Sequence, residues 1–272
     1  MTFRIHLPSF PLSQFVESFV YFKEIEPLHD YERFLPDGNI HLVMDLTENS
    51  QFIYDNHTLQ KIQECKKVWF SGIRTKCITI PSGRGSENFI VNFHRGKVFP
   101  FTHTPVNEYT DFVVDAELVL SNEILALRDR LMELKTVQEK FTYAEQRLVQ
   151  VYSRNFSHNP VIDFAVSRII QATQLTSIED ISGKTGYSQK HFIRLFKENV
   201  GITPKAFLRV MRFQKAVQEI EQQKQIHWTT VAHDCGYYDQ AHFINDFKTF
   251  SGYTPEQYVQ LKSKEINYVP VR

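Results

Sequence analysis

Up to residue 115, apolar residues come in short runs separated by turn signals. Runs at 19–22, 40–46, 51–54, 68–73, 77–80 and 89–93 are short enough, and rich enough in β-branched and aromatic residues, to predict strands. Pro36-Asp37-Gly38, Glu48-Asn49-Ser50, Asp55-Asn56 and Pro81-Ser82-Gly83 supply the turns between them. Many short strands so spaced predict a small barrel or sandwich-like β domain. Between residues 117 and 152 the period becomes helical. Ile124, Leu127, Leu131 and Leu134 fall at steps of three and four, and Val137, Phe141, Ala144, Leu148 and Val151 continue the stripe. Such a stripe has to be buried, against the β domain or against a second chain, which makes it a candidate dimerisation element. Residues 153–160 break the pattern, and Pro160 suits the first turn of a new helix reaching about residue 174. The fold class read from this pattern is α+β. A β-rich domain spans 1–115, a helical segment and linker 116–157, an all-α domain 158–262 and a tail 263–272.

An internal repeat dominates the last third. Gln189-Lys190-His191-Phe192-Ile193-Arg194-Leu195-Phe196-Lys197 recurs as Gln240-Ala241-His242-Phe243-Ile244-Asn245-Asp246-Phe247-Lys248, an offset of 51 residues (240 minus 189). Gly201-Ile202-Thr203-Pro204 and Gly252-Tyr253-Thr254-Pro255 follow at the same offset. Thr176-Ser177-Ile178-Glu179 has the form of a capping box opening a short helix. Gly186 and Gly236 fit a tight turn after the first helix of each unit, and Ser188 and Asp239 fit the caps of the second. Small Ser182 and Ala232 allow the two helices to cross closely. Phe192, Leu195 and Phe196 share one face of the second helix, matched by Phe243 and Phe247, while Gln189, Lys190, Ile193, Arg194 and Lys197 lie opposite. A helix anchored by one face and polar on the other is helix-turn-helix logic, with the polar face entering a major groove. Between the units, a helix capped by Thr203 is predicted from Pro204 to about residue 222. Its length, roughly 28 Å at 1.5 Å per residue, approaches the roughly 34 Å between successive major-groove faces of B-DNA.

Composition changes this picture little. Hydrophobic residues make up 42% and charged residues 23% of the 272, as in folded globular chains. The net charge of zero divides unevenly: residues 158–272 hold 14 Lys+Arg against 11 Asp+Glu, a surplus of +3, and residues 1–157 hold 17 against 20. That mild asymmetry permits a nucleic-acid partner on the helical side. No apolar run approaches the roughly 20 residues needed to cross a bilayer. The first residues lack the form of a secretory signal, and Cys65, Cys77 and Cys235 form no disulfide or zinc pattern. The expectation is a cytoplasmic protein without membrane contact.

At this point the chain resembles the AraC/XylS family of bacterial transcription regulators. The resemblance covers residues 158–260 and rests on Gly186-Tyr187-Ser188, His191-Phe192, Phe196-Lys197, Gly201-Ile202-Thr203-Pro204, Arg212, Ala216, Cys235-Gly236-Tyr237, His242-Phe243, Phe247-Lys248 and Gly252-Tyr253-Thr254-Pro255. It implies a seven-helix DNA-binding domain with two helix-turn-helix units, an amino-terminal sensing or dimerisation domain, and contact with RNA polymerase. Phe34-Leu35-Pro36-Asp37-Gly38 with Ile40-His41-Leu42-Val43 looks like one subgroup of such amino-terminal domains, for which no ligand is implied. The DNA-contacting residues carried over are Ser188, Gln189, Lys190, His191, Ile193, Arg194 and Lys197 in the first unit. In the second they are Asp239, Gln240, Ala241, His242, Asn245 and Lys248. Arg194 leads, because a guanidinium pairs bidentately with guanine. Asp246 is expected beside phosphates, where its charge would weaken the second unit. Lys197 and Lys248 are divided between phosphate contact and the helix dipole, and Arg212 between bracing its helix and touching DNA. Double-stranded DNA is the expected partner, a small-molecule effector and a homodimer are candidates, and no cofactor is expected.

An enzyme reading has less to stand on. His94 and His103 with Glu87 or Glu108 would suggest a metal in a β-barrel, yet their spacing lacks the paired-histidine pattern such a site uses. No phosphate-binding glycine loop, nucleophile elbow or paired-carboxylate motif stands in the chain. The protein is therefore expected not to be an enzyme.

Overall fold

A computed structural model describes the chain except Met1, residues 24–26, Leu28, His103, residues 175–176, Lys224, residues 264–265 and Arg272. Ten strands precede the first long helix: β1 (Thr2–His6), β2 (Val16–Lys23), β3 (Tyr31–Phe34), β4 (Ile40–Asp45), β5 (Gln51–Tyr54), β6 (Lys61–Cys65), β7 (Val68–Ser71), β8 (Ile78–Pro81), β9 (Glu87–Phe93) and β10 (Val113–Asp115). Every apolar run singled out in the sequence overlaps one of them. Among the described residues they form two antiparallel sheets and no closed barrel. The larger has the order β1-β2-β9-β4-β7-β10. The smaller runs β11-β3-β8-β5-β6, with β11 being Tyr268–Val271 from the far end of the chain.

One face of the larger sheet is covered by two helices, α1 (Glu123–Glu133) and α2 (Val137–Tyr152). The periodic stripe is thus two helices with a break between them, where Thr136 caps α2 in a capping box with Glu139. Ile124, Leu127, Leu131, Phe141, Ala144 and Leu148 are all buried within the chain. The Phe141 ring lies 5.6 Å from that of Phe89 on the sheet. Those six side chains pack within their own chain, and Leu134, Val137 and Val151 of the same stripe are half-buried.

The other face of the larger sheet turns toward the smaller one. Phe34 meets His41 edge-on at 5.3 Å, and Ile53, Cys65 and Val113 cluster with Trp69 and Ile78. Register places Val20, Ile90, Val43 and Trp69 in one row across four neighbouring strands, and all four are only half-buried. Ile78 and Ile80 opposite them are half-buried too.

Seven helices follow: α3 (Pro160–Gln171), α4 (Ile178–Lys184), α5 (Gln189–Val200), α6 (Pro204–Gln222), α7 (Trp228–Asp234), α8 (Gln240–Ser251) and α9 (Pro255–Leu261). Their buried apolar residues are continuous with those of the β domain. The junction is also polar and specific. Gln214 of α6 donates to the Pro36 carbonyl at 2.6 Å and to Asn267 Oδ1 at 2.8 Å. Lys97 pairs with Asp163 at 2.6 Å, the Arg33 guanidinium lies 4.2 Å over the Tyr253 ring, and Thr110 Oγ1 donates to the Gly201 carbonyl. Residues 263–272, read from the sequence as a tail, include a strand of the smaller sheet. Tyr268 stands opposite Phe34 and Val271 opposite Tyr31. No helix among the described residues is long and apolar enough to cross a membrane.

Candidate nucleic-acid interface

The first unit is α4, a turn and α5. Its opening cap falls one residue later than the sequence suggested: Ser177 accepts from the Asp180 amide at 3.3 Å. Thr176, the expected first residue of the box, lies outside the described residues. Ile181 and Ser182 are buried where α4 crosses α5. Gly186 turns the chain at φ +75°, and Ser188 Oγ accepts from the His191 amide at 3.3 Å to start α5. Phe192 and Phe196 are fully buried and tie α5 to Phe207 of α6, 5.7 Å from Phe196. Gln189, Lys190, Arg194 and Lys197 stand exposed on the opposite side, and His191 and Ile193 are half-buried at its border. The His191 ring meets that of Tyr187 at 4.6 Å, tilted by 53°, and receives Arg194 Nη2 at 3.3 Å. The Arg194 side chain is thereby held close to its helix, two-thirds exposed.

The second unit repeats the plan with α7, a turn and α8. Val231 and Ala232 are buried at the crossing. Asp239 Oδ1 accepts from the His242 amide at 2.7 Å, and Phe243 and Phe247 are fully buried. Ala241, His242, Asn245 and Lys248 are exposed. Gln240 is half-buried and accepts from Thr229 Oγ1 at 3.3 Å. Ser188 and Asp239 direct their side chains to backbone amides, leaving DNA their outer edges at most.

One expectation is overturned. Asp246 does not face phosphates: it is 5% exposed and accepts two hydrogen bonds from Arg209 of α6. The repeat itself carried the signal, because the 51-residue offset aligns Asp246 with Leu195, a position on the inward face. Arg212 donates to the Thr173 carbonyl at 3.0 Å and so braces the end of α3. Cys235 is fully buried, and that burial pushes its thiol up to about 12. Such a thiol stays protonated and unreactive near neutrality.

The sequence reading passed over two exposed aromatics beside the turns, Tyr187 at 45% and Tyr238 at 93%. Their place just after Gly186 and before Asp239 could have flagged them. Also missed was Lys205, exposed at the rim of a groove of about 540 Å³ between the amino-terminal ends of α4 and α6 and Gln189 and Ile193 of α5. Among the described residues no three His, Cys, Asp or Glu side chains gather in metal-binding geometry. Glu87 is engaged by Tyr21 at 2.8 Å and Lys23 at 3.0 Å.

Between the units stands α6, 19 residues long, so both second helices are mounted on one rod. Residues 181–260, from Ile181 within α4 to Gln260 within α9, match the helix-turn-helix domain family in its AraC-type form. That part of the chain is an AraC-type helix-turn-helix domain. Residues 4–115 of the chain match a second family, described as a domain of unknown function (DUF6597). Over 81 residues it is 33% identical to an uncharacterized HTH-type transcriptional regulator of Haemophilus influenzae, covering 30% of this chain and 27% of that one. Over 131 residues it is 28% identical to the lactose operon transcription activator of Staphylococcus xylosus, covering 47% and 43%. The chain thus spans less than half the length of either relative. Among solved structures, ToxT of Vibrio cholerae superposes with a TM-score of 0.48 at 10% identity, over 96% of this chain and 98% of that one.

Proposed function

We propose that the protein is a sequence-specific transcription regulator that seats α5 and α8 in consecutive major grooves of a promoter. The observation that carries this reading is the duplicated unit of helix, turn and capped second helix, each copy presenting a polar outer face on a helix locked by phenylalanines, with one 19-residue helix between them. Gln189, Lys190, Arg194, Gln240, His242 and Asn245 take the base edges. Lys197, Lys248 and Lys205 take the phosphates, helped by the helix amino termini at the groove beside α5. Double-stranded DNA is the partner, and contact with RNA polymerase follows if the protein activates. Oligonucleotides selected from a random pool should share two motifs about one helical turn apart, and footprints should show two protected patches on one side of the duplex. Enrichment of a single motif, or of none, contradicts the two-groove arrangement.

Arg194→Ala is expected to cost about 1–3 kcal/mol in specific binding and to relax the preference at one base position. Titrating the variant against all four bases at each position of the selected site checks this. An unchanged preference would return Arg194 to an ordinary surface role.

The β domain is proposed to sense a small apolar molecule. Support comes from an apolar row, Val20, Ile90, Val43 and Trp69, that lines the space between the two sheets opposite Ile78 and Ile80 and is only half-buried. Apolar walls with a few polar groups at one end are the usual lining of a ligand site. A ligand held there at a hundred times its Kd would stabilise the fold by about 2.7 kcal/mol, read as a raised Tm in a screen of apolar metabolites. A Val43→Trp variant that fills the space should abolish that shift. A full metabolite screen without any shift favours the other reading, in which the β domain is a platform for self-association or another protein and DNA binding is constitutive.

A further inference from the structure

The inward face of α8 is built of phenylalanines, with one carboxylate among them. Asp246 accepts from Arg209 Nη2 at 2.6 Å and from Arg209 Nε at 3.2 Å, a fork-on-carboxylate pair joining α8 to α6. These hydrogen bonds raise the Arg209 guanidinium above its ordinary pKa in spite of its partial burial. The same guanidinium lies 5.5 Å over the Phe250 ring. On its other side, Asp246 Oδ2 stands 3.8 Å from His242 Nε2. The His242 ring in turn meets buried Tyr237 edge-on at 5.3 Å. One buried carboxylate therefore touches both the rod that carries α8 and a side chain of its outer face. In the first unit the aligned residue is Leu195, which makes no such link.

Apolar packing and a forked ion pair constrain a helix differently. Phenylalanine contacts resist withdrawal of α8 from the core but are non-directional, so they oppose rolling about the helix axis only weakly. Two hydrogen bonds of fixed direction oppose it strongly. A roll of about 20° moves a side-chain tip lying about 6 Å from the axis by about 2 Å, enough to break a hydrogen bond to a base.

We propose that Asp246 is a positioning residue for DNA reading: with Arg209 it fixes the roll of α8 on α6 and holds His242, so deciding which of Gln240, His242 and Asn245 reach base edges. The proposal rests on the reading of α8 as the second DNA-contacting helix. It also assigns Arg209, exposed enough to meet a phosphate, to an internal partner.

The test uses the full chain and the oligonucleotide that the wild type selects. Two variants are compared, Asp246→Asn, which keeps the shape, and Arg209→Lys, which keeps the charge but loses the fork. Both should bind roughly tenfold more weakly, with base preference flattened in the half-site assigned to α8 and preserved in the other. The salt dependence of Arg209→Lys should stay that of the wild type. Arg209 is half-exposed, so its lysine variant keeps the test open should Asp246→Asn unfold; melting curves identify that case. Unaltered preference in the second half-site for a folded variant overturns the proposal. So does tighter binding of Asp246→Asn to all sequences, which would make Arg209 a phosphate contact restrained by Asp246. A wild type that enriches no sequence removes the DNA reading and this assignment together, and is recognised before any variant is made.

Discussion

Phe247→Ala is expected to lower the stability of the chain by about 3–5 kcal/mol. Phe247 is fully buried, with the rings of Phe213 of α6 at 5.0 Å, Phe243 at 5.7 Å and Tyr258 of α9 at 5.4 Å. It therefore joins the second unit to the connecting helix and to the helix after it, and no neighbouring side chain is free to collapse into the space an alanine leaves. Against a total stability of about 5–15 kcal/mol for an ordinary domain, such a loss is large. Urea denaturation followed by circular dichroism measures it, with Lys248→Ala as the surface neighbour whose change stays within about 0.5 kcal/mol. A loss below about 1 kcal/mol for Phe247→Ala would mean that the second unit is not packed as described.

Gly201→Val is expected to cost about 2–5 kcal/mol, from two sources. The backbone at Gly201 has φ +101°, which costs a residue with a side chain about 1–2 kcal/mol. The added Cβ would also lie 2.6 Å from Ile73 Cγ2 and 3.3 Å from Val106 Cγ1 of the β domain. Overpacking of that kind costs about 1–3 kcal/mol. Gly186→Ala separates the two, because Gly186 has φ +75° with nothing within 4 Å of the added atom. The excess loss of Gly201→Val over Gly186→Ala in urea reports the contact between the carboxy-terminal end of α5 and the β domain. Equal losses would show that this contact does not press on α5.

What was readable in the sequence was whatever repeats or is locally signalled. The two helix-turn-helix units were legible because the second-helix caps and aromatic pairs recur at an offset of 51 residues and the turn glycines, Gly186 and Gly236, at 50. The six apolar strands were legible because they supply the buried centre of the sheets. Less legible were strands whose partners give them their character. Lys61–Cys65 is polar and almost wholly exposed at a sheet edge, and Tyr31–Phe34 mixes charges with aromatics. Tyr268–Val271 pairs with residues more than 230 positions earlier, which no local pattern announces. The helical stripe ran unbroken through the gap between α1 and α2 because hydrophobic spacing alone does not register a stop. Thr136 and Glu139, a capping box in plain view, marked it.

Asp246 shows the complementary failure. Reading it by its charge put it at the phosphates, whereas reading it by its place in the repeat puts it opposite Arg209. Arg212 was undecided from the sequence because a bracing arginine and a DNA-contacting one look alike until Thr173 is brought beside it.

The return of the chain to the smaller sheet has a mechanical consequence. The helical domain leaves the β domain through residues 153–159 and rejoins it at Tyr268, so its backbone is fastened at two points besides the shared apolar core and the contacts of Gln214, Lys97, Arg33 and Thr110. A body fastened at one point can swing in any direction; one fastened at two keeps a single free axis, the line joining them. Any large displacement of α5 and α8 that spares the β3–β11 ladder has to break those side-chain contacts and pivot about that line. A signal arising between the sheets would then reach both grooves as a common tilt and leave their separation unchanged.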